Sequence, residues 1–406
     1  MSVPRARSLG SLRTTNPTIP LLVHGQGTFL FTTMSVGPPC VFQILNKDGT
    51  DGLNVEWTLN DLHVTLLTTF EPLIDPKCIS GLINKSGATY WFSLDSHNGT
   101  LYAGIGEARM ETSIYHYVFP YDPTKFLESL VQIRCLSTTL VQLRLLRDPI
   151  TMNIPLCVKS TDTLTMNDVA SGRYLPNANL SSMAQKLYNC ISGKAFVLDD
   201  DDFPDFSKAI EQSIRTPTGW CYTRLAEKAN EFSKEPHPQE TYLRITLGAN
   251  NGESPGVPYV MEIWPVGHYS PIHSHSNANA VIRALHGQIQ VELYPFLCDE
   301  KDGIDPFAVA HFKKDDITWI SPTLNQVHRL TNLADNTEAC ITIQCYMYNE
   351  DDDAHYDYFD YLGDNGKKLQ YTPDSDMDFV KFKELMKQEW AASLGCRTIR
   401  HQKSIG

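Results

Sequence analysis

Between residues 20 and 155 the apolar positions fall in short strand-like runs, at 28–32, 62–68, 90–93, 100–103, 114–119 and 140–146. Clusters of Gly, Pro, Asn and Asp separate them, and almost no helical periodicity is present. This spacing predicts an all-β sandwich. Residues 90–102 predict a hairpin with Asn98-Gly99 at its turn. Around residue 178 the period lengthens: Met183, Leu187 and Ile191 recur every four residues, as do Phe206, Ile210 and Ile214, and Asn179 offers a helix cap. After Pro236 and Pro238 the period returns to two, with Ile289, Val291 and Leu293 alternating with Gln288, Gln290 and Glu292. Further strands are predicted at 317–320 and 340–348. The acidic, aromatic stretch 350–364 reads as a solvated loop, and 379–394 as a closing amphipathic helix with Phe379, Phe382, Leu385 and Met386 on one side.

The pattern predicts a mainly β protein in which a β-sandwich at 20–155 is followed by a helical lead-in and a second β unit over 178–375, then a C-terminal helix and tail over 376–406. A length of 406 residues fits two domains. Lys plus Arg number 34 against 47 Asp plus Glu, a net charge of −13 that opposes binding to nucleic acid or anionic membrane. No apolar run is long enough to span a bilayer, and residues 19–23 are too short for a signal-peptide core, so a cytoplasmic protein is expected. Arg5, Arg7 and Arg13 in an acid-free start hint at a transit segment, although a frayed terminus explains them as well. The ten cysteines form no CxxC or regular set, which fits reduced thiols rather than a zinc knuckle or disulfide framework. The sequons at Asn84, Asn98 and Asn179 read as chance matches.

Candidate chemistry concentrates in three histidines. His273 and His275 stand two apart on a predicted strand, so both imidazoles leave the same face and can ligate one metal. His328 lies beside another strand, where barrel closure would bring it to the pair. An isolated His-x-His is more often a surface pair, but here Gly267 precedes His273 by six, Gly287 ends the next strand, and Asn332 follows His328. His268, His286 and His311 lack such an arrangement.

The segments Trp264-x-x-Gly267-His268-x-Ser270-x-Ile272-His273-x-His275 and Val327-His328-Arg329-x-x-Asn332 match both motifs of the cupin barrel, and in detail they resemble the cysteine dioxygenase family of thiol dioxygenases. The resemblance covers roughly residues 178–375. It implies a double-stranded β-barrel of cupin type preceded by helices, with Fe(II) held by His273, His275 and His328. It further implies that a small thiol and O2 are the partners, with sulfinic acid as product and cysteine catabolism as the setting. Arg244, in Tyr242-Leu243-Arg244, falls where the family grips the substrate carboxylate, with Tyr242 beside it as a substrate contact; Arg283 is a second candidate. Separately, Tyr90 to Ser93, the Asn-Gly turn and Gly104-Ile105-Gly106 weakly resemble the β-sandwich module named after farnesoic acid O-methyltransferase. That likeness implies no activity, and an interaction or scaffold role with an unidentified protein or ligand partner is expected of the sandwich.

Two departures from the family matter. The position of the cysteine that crosslinks to tyrosine in many animal members is Ala280. The family's Ser-x-His-x-Tyr strand reads Thr342-Ile343-Gln344-Cys345-Tyr346, so the tyrosine is kept as Tyr346 while Gln344 replaces its histidine partner. Thr342, Gln344 and Tyr346 share one strand face, and Tyr346 and Gln344 are the expected catalytic pair. The expected activity is iron-dependent dioxygenation of a small thiol, with L-cysteine to cysteine sulfinate as first choice. The alternatives are another three-histidine cupin oxygenase on a different small substrate, or a non-catalytic metal-binding cupin with an interaction role.

Overall fold

The computed structural model describes residues 6–9, 18–33, 39–78, 88–137, 140–248, 259–298, 304–348 and 358–403. The chain divides into two compact units, Met1–Ile154 with Tyr294–Phe307, and Pro155–Leu293 with Ala308–Gly406.

The first unit is built from β1 (Ala6–Leu9), β2 (Thr18–Pro20), β3 (Gln26–Thr33), β4 (Cys40–Asn46), β5 (Gly52–Trp57), β6 (Leu62–Leu66), β7 (Thr89–Asp95), β8 (Thr100–Ile105), β9 (Ser113–Val118), a short helix α1 (Thr124–Glu128), β10 (Leu130–Cys135) and β11 (Leu140–Leu146). Two sheets form, in the orders β1-β11-β3-β7-β8-β9 and β2-β10-β4-β5-β6. The period-two rule selects what each sheet buries. Phe29 and Phe31 on β3, Tyr90 and Phe92 on β7, Phe42 and Ile44 on β4, and Val55 and Trp57 on β5 form one core. The ring of Phe31 lies 4.7 Å from that of Phe42 in the other sheet, tilted by 52°, and stacks on that of Tyr90 in its own sheet at 5.2 Å. Strands β4, β5 and β10, which the apolar runs do not single out, supply most of the second sheet. The hairpin of β7 and β8 turns at Asn98-Gly99, where Asp95 accepts from the Asn98 side chain at 2.7 Å and Gly99 takes a φ of +61°. The sequon at Asn84 lies outside the described residues.

The second unit begins before the helical pattern at residue 178, with β12 (Cys157–Lys159), α2 (Met166–Ser171) and β13 (Tyr174–Pro176). Helices α3 (Ser182–Ile191), α4 (Phe206–Arg215) and α5 (Trp220–Glu227) follow. The remaining strands are β14 (Leu243–Gly248), β15 (Tyr259–Trp264), β16 (His273–Ser274), β17 (Asn279–His286), β18 (Gln288–Tyr294), β19 (Ala308–Lys313), β20 (Ile317–Ile320), β21 (Val327–Thr331), β22 (Cys340–Met347), β23 (Phe359–Leu362), β24 (Lys368–Tyr371) and β25 (Met377–Asp378), closed by helix α6 (Phe379–Lys403). Their sheets run β13-β12-β20-β17-β22-β15-β14-β25 and β19-β18-β21-β16-β23-β24. This is a mainly β architecture, in which inward residues of both sheets line one cavity.

Three local expectations are corrected. Ser181, not Asn179, caps α3: its hydroxyl accepts from the Ala184 N–H at 3.2 Å, whereas Asn179 sits in a 3-10 turn. Residues 359–362 are strand β23 rather than solvated loop, because Phe359 and Tyr361 on either side of Asp360 share one face, and Tyr361 is buried; residues 349–357 lie outside the described residues. Helix α6 extends beyond 394, with Phe382 and Met386 fully buried and Leu394 exposed. Among the described residues no helix is long and apolar enough to cross a membrane. Among the described residues nine cysteines, from Cys40 to Cys345, form no disulfide.

Gly287 sits where the chain leaves β17 in one sheet and enters β18 in the other. Its φ is +66°, and a Cβ there would lie 2.3 Å from the Ala339 carbonyl oxygen. Gly287→Ala should therefore lower unfolding stability by about 2 kcal/mol or more in a urea titration. Gly193→Ala, with nothing within 4 Å of the added carbon, should stay within about 0.5 kcal/mol.

Candidate metal centre

The two motif segments are laced together by their own polar groups. The Gly267 N–H donates to the Asn332 carbonyl at 2.8 Å, and the Asn332 N–H donates back to the His268 carbonyl at 2.8 Å. The buried Asn332 amide also donates to the Trp264 carbonyl at 2.8 Å. Ser270 repeats the pattern one step on, its N–H donating to Leu330 and its hydroxyl accepting from the Leu330 N–H. This lacing sets the register of the very short β16, so that His273 stands directly opposite His328 on β21. β16 ends at Ser274, and straight after His275 the residues Ser276 and Asn277 adopt φ of +48° and +65°.

The three imidazoles converge: one ligand nitrogen from each of His273, His275 and His328 lies within 4.8 Å of the others. The Nε2 atoms of His275 and His328 are 3.1 Å apart. That is the separation of neighbouring ligands on one ion with bonds of about 2.0–2.1 Å. Nδ1 of His273 donates to the Pro271 carbonyl at 3.0 Å, and Nδ1 of His328 to the Asn325 carbonyl at 3.1 Å. Those bonds fix the tautomer that leaves Nε2 lone pairs free for a metal. Burial holds the His273 imidazole down to about 4 and that of His328 to about 3, each lowered further or offset by its neighbours, and it drives His275 well below the ordinary histidine value. Neutral rings are the ligating form. Among the described residues no carboxylate or thiolate joins the cluster. The donor set fits a divalent transition metal with open positions.

The histidines border a cavity lined largely by apolar side chains. One row of cross-strand partners crosses its floor: Arg244 on β14 faces Glu262 on β15, which faces Thr342 on β22, which faces Ala284 on β17. Arg244 donates to the Glu262 carboxylate at 2.8 Å, and both side chains are buried. The Gln344 amide donates to the other carboxylate oxygen at 2.5 Å. The Tyr346 hydroxyl in turn donates to the Gln344 carbonyl. Its ring stacks beside His275 with centroids 5.7 Å apart, and Ala280 is its direct partner across the ladder. Tyr242 also lines the cavity, stacked on Trp264 at 4.3 Å.

All seven site residues expected from the sequence thus border one cavity. Arg283 does not: it points to the end of α3, donating to the Ile191 and Gly193 carbonyls and pairing with Asp315 at 2.6 Å. Strand parity decides this, since its neighbours Ile282 and Ala284 are the inward ones. His268 bonds to Thr241, His286 pairs with Glu338, and His311 is exposed on β19. Two residues were missed. Glu262 is the one acid in the apolar strand 259–264, an available signal. Phe359, packed 4.6 Å from the His275 ring, lay within a stretch whose acids masked its alternation with Tyr361.

No protein-family model matches the chain. Solved structures with partial similarity include the Schizosaccharomyces pombe Cnp3 cupin domain, at 15% identity over 27% of this chain and 61% of that one, with a TM-score of 0.21. An oxalate oxidase in complex with the substrate analogue glycolate is similar at 12% identity over 27% of this chain and 52% of that one, with a TM-score of 0.22. A cupin domain of an XRE-family transcriptional regulator from Enterobacter cloacae is similar at 8% identity over 27% and 98%, with a TM-score of 0.21. This chain therefore spans less than two thirds of the first two. What is established of fold and site comes from the sheet order and the histidine geometry: two sheets around one cavity, with three histidines placed to hold one metal ion.

His273→Ala, His275→Ala and His328→Ala should each abolish tight binding of ferrous iron, read as metal per chain after desalting. In the metal-free protein, the depressed imidazoles contribute stability that is present above about pH 6.5 and lost as pH falls toward about 4 for His273 and about 3 for His328. Melting temperature should thus fall with acidification across that window, less steeply in His273→Gln than in the parent.

Proposed function

We propose that this protein is an iron-dependent oxygenase of the three-histidine cupin type acting on a small thiol. The observation that supports the reading most is the convergence of three neutral imidazoles, with no carboxylate among them, at one wall of a largely apolar cavity. A divalent ion held by three neutral ligands keeps its full charge and favours an anionic thiolate. Ferrous iron bound there would supply the redox chemistry that adds both atoms of O2 to a thiol sulfur, giving a sulfinic acid.

The chain's own residues orient the substrate and exclude water. Ile282, Ile289, Val291 and Phe312 line the cavity with aliphatic and aromatic surface, which strengthens electrostatic interactions inside. The Gln344 carbonyl accepts the Tyr346 hydrogen bond, so the phenol is directed by a fixed amide rather than by an ionisable imidazole. Cysteine, the first choice by resemblance, calls for an arginine free to bind a carboxylate. The Glu262 carboxylate on Arg244 favours a different small thiol instead.

The iron-loaded full chain, mixed anaerobically with a panel of thiols and then given oxygen, should consume O2 and form the sulfinic acid of at least one. Bound iron with no oxygen uptake from any thiol would support a metal-binding cupin without turnover. Tyr346→Phe should retain iron and lose turnover about ten- to a hundredfold, the effect of one hydrogen bond to a charged group. A change in stability with full rate would make Tyr346 a core residue only.

A further inference from the structure

Arg244 and Glu262 stand as direct partners on adjacent strands, each buried, each lining the cavity that holds the three histidines. A guanidinium stays charged in proteins, so in this position it needs a counter-charge. Glu262 supplies it at 2.8 Å, and the Gln344 amide holds the second carboxylate oxygen. A substrate carboxylate entering here meets a cation already neutralised and a second anion beside it. Like charges in a low-dielectric wall oppose each other strongly.

We propose that Glu262 determines substrate charge: by occupying Arg244 it turns a carboxylate grip into a neutral pair and selects small thiols without a carboxylate, bearing an amine or no charge. Resting on the thiol-oxygenase reading above, this names the substrate class of that site. The polar groups around the pair agree in sense. Tyr346 points its hydroxyl hydrogen at Gln344, so its oxygen can only accept, from Arg244 beside it or from a ligand. A carboxylate also only accepts, so Glu262 and the phenol both offer an amine somewhere to donate. Burial raises the Glu262 carboxyl above its ordinary value, while Arg244, Gln344 and Lys228 favour its anion.

The test compares cysteine with cysteamine, which differ by the carboxylate alone. The parent should show the higher kcat/KM for cysteamine. Glu262→Gln keeps the size, frees Arg244, and should raise the cysteine-to-cysteamine ratio about ten- to a hundredfold. Arg244→Gln/Glu262→Gln buries no unpaired charge and guards against a misfolded single variant; its ratio should lie within about twofold of the parent's. A parent that prefers cysteine, or a double variant that loses cysteine selectively, would show that Arg244 grips carboxylate despite Glu262 and would overturn the proposal. Calorimetry on the iron-free chain separates this from the oxygenase reading, using propionate and ethylamine as probes. Glu262→Gln should bind propionate at least about tenfold more tightly than the parent. That gain without oxidation of any thiol would sink the oxygenase and keep the role of Glu262. No gain, with thiol oxidation intact, would do the reverse.

Discussion

The pairing of His273 with His328 across β16 and β21 is the constraint on which the site depends. A two-residue strand contributes few ladder bonds, so its register has to be imposed from outside. Asn332 does this through its main chain and its buried side-chain amide, and Ser270 adds a second clamp. A slip of one residue in β16 would turn His273 to the opposite face, away from His328. Removing the Asn332 side chain would leave two backbone carbonyls, of Trp264 and Glu338, without that donor, and unmade buried hydrogen bonds are costly.

A second constraint is electrostatic. The cavity wall is largely apolar, yet it contains a full cation and a full anion in one row. Replacing such a pair by well-packed hydrophobic residues is often neutral or stabilising, whereas removing one partner commonly costs about 3–5 kcal/mol. Fold stability alone therefore gives weak reason for the pair. Its position within the substrate cavity gives a better one, because fixed charges there discriminate between ligands of different charge.

Much of the second unit was legible because its signals are local. Period two along β18 and β22 gave the faces, and the spacing of His273, His275, His328, Gly267 and Asn332 gave the site, all of which border or build one cavity. What escaped depends on pairing. Arg283 sits in a strand whose two faces are both buried, so hydrophobicity could not tell which face held the cavity. Glu262 is meaningful only once β14 lies against β15, and residues 249–258 separate the two strands in sequence. Phe359 shows the opposite failure: a true alternation hidden by surrounding acids. In the first unit, β4, β5 and β10 carry polar residues at their outward positions, which diluted their apolar runs.

The glutamine at position 344 and the glutamate at 262 explain each other. Glu262 accepts only, so the end of Gln344 facing it must be the amide nitrogen, and the carbonyl end then faces Tyr346. The direction of each of these bonds is thereby set, from Tyr346 to Gln344 to Glu262, with Arg244 donating to Glu262 and lying beside the Tyr346 ring as well. A neutral histidine in place of Gln344 can also give one bond and take one, but beside a carboxylate it would tend to gain a proton. It would then lose its acceptor, and Tyr346 would have to turn its own proton elsewhere. Glutamine removes that option at any pH. The acid that neutralises Arg244 thus calls for a partner that cannot titrate, and that partner commits the phenol to acceptor character beside the metal ligands.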